Sequence, residues 1–530
     1  MTDNLRPIAY FSTEFALTSL LPTYAGGLGI LAGDMVRAAA EETFPLIGVG
    51  IYYSEGYICQ KMMQDGKVID ACPIIYPETK GLTKVVDENG IPVTITLPIE
   101  HDTITVFAWE WKKDGQVVYL LDTHTSENSA DNQAITNRLY VDDRMMRLKQ
   151  ELILGIGGVR ILEKVGVRPS IYHMNEGHSS FLTLELIRRH IKLHHSTYEQ
   201  ATEAVKSQVV FTNHTIVSAG DETYEIDVVS LLLGMYADES QIPLDQIIAL
   251  GRVDHSNIFS LTHLAFRLSA IANGVSKLHA EKAKTIWPGY EMEYVTNGVH
   301  IGTWQKKTDH TQNKKALLER ITEETGVIWD EEVLLLGWAR RLVSYKRPLA
   351  LFEDLDRLRS IMENPDQPVR IVISGFAPPG DVHAQELFGK LQEIIQGVLK
   401  DKVVYLPNYT MELAQDLVAG CDVWVNTPVV GFEACGTSGM KALLNGVLPM
   451  TTNDGWVSES DLFDIGWVLD STDVTKSFLN TLEQQVVPLY DMNQEKWQQM
   501  MRNGQALAEH QFSAKRMLAD YKQKLYLLDK

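Results

Sequence analysis

The sequence predicts an α/β protein built from two doubly wound domains that face a central cleft. Two observations carry this. Short apolar runs recur along the chain and alternate with helical stretches, the pattern of βαβ units around parallel sheets. The chain has 530 residues, too many for one core, and 45% of them are hydrophobic, enough to fill two.

The elements follow in order. PIAYFSTEF reads as a strand, leading through the glycine-rich YAGGLGILAGD (Tyr24 to Asp34) into a helix over MVRAAAEE, and LIGVGIYY is the next apolar strand. From Val93 to Asp122 the pattern becomes alternating, in VTITLPIE, TITVFAWEW and QVVYLLDT, with Asp114-Gly115 as the turn signal of a β-hairpin insertion. RMMRLKQELILGIGGVRILEKV is a long helical stretch. Strand and helix signals then alternate through IYHMNE, VVFTNHT and EYVTNGVH. The polar stretch from Trp304 to Thr322 reads as a linker or surface helix, which places the domains at 1–315 and 316–530. VLLLGWARR, VRIVISGF, KVVYLP, CDVWVNTP and VLPMTTN are the strands of the second domain. The tail from Asn493 to Lys530 is helical and is expected to pack back toward the first domain.

The formal net charge is −21, from 69 acidic and 48 basic residues. That argues against a nucleic-acid surface or an anionic-membrane binder, but leaves room for a local cationic pocket. The N-terminus lacks a basic segment followed by an apolar run, and no apolar run is long enough to span a bilayer, so a cytoplasmic protein is expected. Cys59, Cys72, Cys421 and Cys435 form no CxxC pair and show no zinc-ligand spacing, so they read as reduced, mostly buried thiols.

Candidate chemistry concentrates in a few places. In EACGTSGMKALLNG, a turn of small residues precedes Lys441, whose neighbours are apolar. A buried lysine has a lowered pKa and can condense with a carbonyl cofactor, while the turn's amides suit an anion, so a phosphorylated aldehyde such as pyridoxal phosphate fits both. In GWARRLVSYKRP, the cations Arg340, Arg341, Lys346 and Arg347 follow a strand and read as a phosphate site. The YAGGLG loop lacks the spacing of a dinucleotide or P-loop motif. HMNEGH does not set His173 and His178 on one helix face, and no metal is expected. His214, at the end of FTNHT, suits a core histidine or a sugar ligand equally.

Taken in order, YFSTEF, YAGGLGILAGD, HMNEGHSSF, FTNHT, NGVSKLHAE, VTNGVHIGTW, RRLVSYKR, NTP, EACGTSGMKALLNG and DGW resemble the α-glucan (glycogen, starch, maltodextrin) phosphorylases, especially their shorter bacterial and archaeal branch. The resemblance runs from Tyr10 to Trp456. It implies a GT-B architecture and pyridoxal phosphate on Lys441. The implied activity is reversible phosphorolysis of terminal α-1,4-linked glucose to α-D-glucose 1-phosphate. In that family the cofactor's phosphate does the proton-transfer work.

Carried over by motif, Gly436, Thr437 and Ser438 are expected to offer amides to the cofactor phosphate, with Gly27 and Arg340 nearby and Tyr409 lining the cofactor. Arg341 and Lys346 are expected to hold the substrate phosphate. Asn297, Glu433, Ala434, Cys435 and Gly436 are expected on the glucosyl hydroxyls, with Gly26 and Leu28 bordering the sugar. The carbonyl of His214 is expected to face the developing oxocarbenium ion, and Glu14, Glu176 and His178 to stand near the site. The implied partners are an α-1,4-glucan or maltooligosaccharide, inorganic phosphate and glucose 1-phosphate, and a homodimer is compatible with the chain. Three cations of the family pattern are replaced, by Val429, Val430 and Phe376. The chain is shorter than typical members, so segments used for allosteric control are expected to be absent or reduced. A nucleotide-sugar-dependent GT-B glycosyltransferase and a catalytically idle glucan-binding homologue are the alternatives.

Overall fold

A computed structural model describes residues 6–62, 68–70, 72–216, 221–378 and 380–527. Strand β1 (Ile8–Phe11) is buried at all four positions and is followed by the helix Gly27–Glu41 and by β2 (Leu46–Ile51). The insertion supplies β3 (Thr94–Ile99), β4 (Asp102–Lys113) and β5 (Gln116–Asp122). Strands β6 (Ile171–Asn175), β7 (Val209–Thr212), β8 (Ile271–Gly274) and β9 (Glu293–Tyr294) complete the first sheet. Its order is β9-β8-β7-β6-β1-β2-β5-β4, ending on a short edge strand, Leu82–Lys84, with β3 paired to β4 off this path. Pairing is parallel from β9 to β5 and antiparallel beyond.

The second sheet holds β10 (Leu334–Ala339), β11 (Val369–Ser374), β12 (Val403–Leu406), β13 (Val423–Asn426), β14 (Leu448–Thr452) and β15 (Trp467–Leu469). All six are parallel, in the order β12-β11-β10-β13-β14-β15. Both sheets are doubly wound. Strand order reverses between β1 and β6 in the first and between β10 and β13 in the second, and crevices open at such points.

Local sequence explains the elements. LLLGWA is buried at every residue, as a strand covered on both faces requires, whereas β3 alternates exposed and buried residues. The two residues joining β4 to β5, Asp114 (φ 49°) and Gly115 (φ 80°), are both left-handed, the conformation of a tight hairpin turn. The helical stretch 144–164 carries a π turn at Ile153–Gly157 between two α-helical segments. A Cβ on Gly158 would come within 2.5 Å of the Phe11 ring, so glycine lets this helix rest on β1.

Two expectations are corrected. Cys59 and Cys72 are not free thiols: they form a disulfide that closes the open end of the antiparallel ribbon Gln60–Met62/Val68–Asp70. The two cysteines lie just beyond the first ribbon pair, Gln60 and Asp70, a proximity to which a search for CxxC spacing is blind. Cys421 and Cys435 are free and buried. The stretch 304–322 is also not a bare linker: it leads into the surface helix His310–Thr325, the other expected reading, which carries one buried stripe. Trp304 is only 1% exposed, and the helix His310–Thr325 buries Lys314, Leu317, Leu318 and Ile321. Its polar opening masks this apolar stripe, and Lys314 is satisfied internally by Asp422 at 2.7 Å.

After the helix Gln494–Gln511, the chain returns to the first sheet. Val299 N–H donates to Phe512 O and Ala514 N–H to Val299 O, both at 2.8 Å. The helix Ala514–Lys524 buries Met517, Leu518 and Tyr521 with Ile8, Tyr10 and Val36. Among the described residues no helix is long and apolar enough to cross a membrane.

Candidate active site

The carboxyl ends of the strands at both switch points converge on one cavity of about 250 Å³. The first-sheet side supplies the loop after β1, with Gly26, Gly27 and Leu28, and the loop after β7, with His214. The second-sheet side supplies Arg340, Arg341 and Lys346 after β10, Tyr409 after β12, and the segment Glu433–Ser438 after β13. Asn297 and Lys441 complete the lining. Glu14 and Glu176 stand behind it, and His178 points elsewhere.

Lys441 lies in the short helix Ser438–Leu444 and is 7% exposed. Burial lowers its pKa to about 8, against the opposing pull of Asp34. Its Nζ sits 3.9 Å from the Trp304 ring centroid, and the Trp304 indole donates to Asp34 Oδ2 at 2.9 Å. The Thr437 side chain makes no capping hydrogen bond to this helix, so the first amides keep no side-chain oxygen and can face an anion.

Glu433 is the electrostatic centre of the second-sheet side. Its carboxylate accepts from Arg340 Nη1 at 2.7 Å and from Lys346 Nζ at 2.8 Å. Burial would raise its pKa, but Arg340 and Lys346 hold it at about 2. Arg340 Nε is buried without a partner, as is Asn297 Oδ1. Arg341 is solvent-exposed within the cavity, and its guanidinium makes no hydrogen bond or ion pair among the described residues.

The first-sheet side is wired differently. Glu14 Oε2 accepts from the amides of Ala25 and Gly26, at 2.6 and 3.1 Å, and Oε1 from the Tyr140 hydroxyl at 2.8 Å. The loop then turns so tightly that a Cβ on Gly29 would lie 2.6 Å from Tyr24 Cβ. Glu176, at φ 73°, accepts from the His214 amide at 2.8 Å, and burial pushes its pKa up to about 8 despite the amides of His214 and Gly177. Burial, with His279 nearby, lowers His214 to about 3, so its ring is neutral, with Nε2 2.5 Å from Asn175 Oδ1.

His178 turns away from the cavity, its Nδ1 3.2 Å from Glu151 Oε1. Ligand atoms of His178, Glu151 and Glu222 lie within 4.8 Å of one another, but Glu222 already pairs with Arg147, and Glu151 accepts from the Tyr224 hydroxyl. Phe376 packs edge-on against Tyr57, with centroids 5.4 Å apart, as part of the core.

Sequence reasoning assigned no part to Asp34 or Trp304, although both stand in quoted motifs. They meet across 270 residues, a contact without local signal. Tyr345 and Phe432, which also line the cavity, were missed because each was overshadowed by a charged neighbour, Lys346 and Glu433.

Residues 290–459 match the family model for carbohydrate phosphorylases. The chain is 34% identical to the maltodextrin phosphorylase of Thermococcus litoralis, covering 98% of this chain and 70% of that protein. It is 31% identical to the glycogen phosphorylase of Aquifex aeolicus, covering 98% and 86%. An uncharacterised protein of Methanocaldococcus jannaschii is 30% identical over 98% of this chain and all of its own length. With the doubly wound sheets and the cleft between them, these likenesses place the chain in the carbohydrate phosphorylase family.

Proposed function

We propose that the protein is an α-glucan phosphorylase that transfers a terminal α-1,4-linked glucosyl unit to inorganic phosphate and retains the anomeric configuration. The observation that carries this reading is the gathering of Arg340, Arg341, Lys346 and a lowered-pKa lysine around one cavity, in a chain of net charge −21. An anion is the ligand such a cavity favours.

The residues present fit pyridoxal phosphate. Lys441 can shed its proton near neutral pH. A Cβ on Gly26 or Gly27 would meet nothing within 4 Å, so the loop leaves open space beside the lysine. The amides at Gly436, Thr437 and Ser438 and the unpartnered Arg340 Nε are donors for the cofactor's phosphate. Bound there, the cofactor would supply a phosphate for acid–base chemistry.

The chain's own residues do the rest. Arg341, with no partner to give up among the described residues, binds the substrate phosphate, and Lys346 joins it. Lys346 and Arg340 then exchange Glu433 for phosphate, which frees an ionised carboxylate for the sugar hydroxyls. Asn297 Oδ1 takes another hydroxyl, while its Nδ2 stays on Cys435 O at 3.1 Å. The substrate phosphate gives its proton to the glycosidic oxygen, the C1–O bond breaks, and a phosphate oxygen bonds to C1 on the same face. Fixed donors around the transferring group stabilise the charge that develops, and His214 lines the cavity from the first-sheet side. The route needs no pair of carboxylates across the scissile bond, as a retaining hydrolase would.

Incubation with a maltooligosaccharide and phosphate, followed by NMR, tests this reading. α-Glucose 1-phosphate is expected. The β anomer, glucose release without phosphate, or turnover of a nucleotide sugar without phosphate would overturn it.

A further inference from the structure

The segment Val429-Val430-Gly431-Phe432 ends in an aromatic ring at the cavity. Phe432 is 48% exposed and stacks on Tyr345, with centroids 6.5 Å apart and planes inclined by 30°. Both rings line the cavity. Each stands next in sequence to one partner of the Lys346–Glu433 ion pair, which is 2.8 Å long. The aromatic pair therefore flanks the charged floor of the site with an apolar surface.

The rings are held in place. Val429 N–H donates to Tyr345 O at 2.7 Å, and Phe432 N–H to Val429 O at 3.0 Å, so backbone bonds tie the two loops together. Gly431 takes the left-handed conformation, φ 83°, that turns the chain outward before Phe432. The Lys282 side chain, from the helix Lys277–Ile286 on the first-sheet side, lies directly over Gly431 and closes the turn from outside. A lone exposed aromatic needs no explanation, but a fixed, stacked pair at the entrance to a polar cavity is a binding surface.

We propose that Tyr345 and Phe432 form a stacking platform for the glucosyl unit next to the bond that is cleaved, on the leaving-chain side. The proposal rests on the phosphorylase reading. Its chemistry is that of a pyranose ring, which presents a face of C–H groups with its hydroxyls at the edge. An aromatic ring takes that face, while the hydroxyls stay in water. Cations at Val429 and Val430 would instead favour an anionic group. Val429 and Val430 place no charge beside the two rings, and phosphate recognition stays with Arg340, Arg341 and Lys346.

The test is steady-state phosphorolysis by the wild type, Phe432→Ala and Phe432→Trp, with maltooligosaccharides of increasing length. Phe432→Ala is expected to raise KM for the oligosaccharide about tenfold while leaving KM for phosphate within about twofold. Phe432→Trp restores the wild-type value, which separates stacking from a folding defect. An unchanged oligosaccharide KM, or a parallel rise in KM for phosphate, overturns the platform. If the wild type performs no phosphorolysis, the functional reading fails, and calorimetric titration with the same oligosaccharides decides the platform alone. Weaker binding by Phe432→Ala supports it; equal binding, or none by the wild type, overturns it.

Discussion

On the second-sheet side of the cleft, Arg340 and Lys346 hold one carboxylate that is ionised down to about pH 2, and Arg341 lines the same cavity. On the first-sheet side two titratable groups are neutral: His214 is uncharged above about pH 3 and Glu176 keeps its proton up to about pH 8. The same burial acts on both sides. What differs is the partner. Glu433 meets two cations, whereas Glu176 accepts from the His214 backbone amide and the Asn213 side-chain amide and pairs with no cation among the described residues. The cleft thus separates an anion-holding wall from a hydrogen-bonding wall, the division that a transfer between a neutral sugar and a phosphate dianion calls for.

The largest effect expected is at Lys441, where the cation wall meets the buried floor. Lys441→Ala is expected to abolish turnover and leave the urea midpoint nearly unchanged. Borohydride reduction and mass mapping of the wild type should find the cofactor on the peptide containing Gly439 to Leu443. An adduct elsewhere, or full activity in the variant, would remove the lysine from the chemistry.

Arg341→Ala comes next. Because this guanidinium has no hydrogen-bond or ion-pair partner among the described residues, its loss should cost little stability, yet weaken phosphate use by roughly 10- to 150-fold, the worth of a charge-assisted hydrogen bond. Oligosaccharide KM should change far less. Arg340→Ala is the control that sharpens the contrast, since it also strips Glu433 of a partner and should lower the urea midpoint. Equal losses for both substrates in Arg341→Ala would mean that the two walls do not divide the labour.

How far this contrast could be read beforehand depends on the range of each contact. Strands such as LLLGWA and VRIVIS are legible because a parallel strand covered on both faces is apolar throughout, and the hairpin because Asp114-Gly115 can adopt two left-handed residues. The small-residue turn before Lys441 is local too, and so is the run of cations after β10. What sets their chemistry is not local. Asp34 and Trp304 reach the Lys441 pocket from distant segments, and the Cys59–Cys72 bond depends on a short ribbon that brings its two ends together. His178 shows the converse. It shares a motif with Glu176, but two residues further on, in a one-turn helix, its ring already faces Glu151 rather than the cavity.

The two buried glutamates give opposite pH dependence, a smaller but direct test of the comparison. Glu176 ionises near its ordinary value of 4.5 when unfolded but near 8 when folded. Between those values the folded state binds more protons, so this group's contribution falls as pH rises, by at most about 1.4 kcal/mol per pH unit. Glu433 is depressed from 4.5 to about 2, so its contribution is complete above 4.5 and is lost as pH falls toward 2. Urea titrations of Glu176→Gln should flatten the decline above pH 4.5, and those of Glu433→Gln the loss below it. The same slope in both variants would erase the distinction between the walls.

The smallest effect is expected where the walls touch. Ser276 is the N-cap of the helix Lys277–Ile286 and accepts from the His279 amide at 3.1 Å. The same hydroxyl donates to Ala434 O at 2.6 Å, so one side chain both starts a helix on the first-sheet side and fixes the segment that carries Glu433 on the other. Ser276→Ala should cost about 1 kcal/mol of stability through the lost cap. If the contact also positions Glu433, oligosaccharide KM should rise a few-fold while KM for phosphate stays put, because Arg341 lies on a different loop. Ser276→Thr keeps the hydroxyl and should recover both. A stability loss with unchanged kinetics would reduce Ser276 to a helix cap and show that the second-sheet wall holds its shape without help from the first.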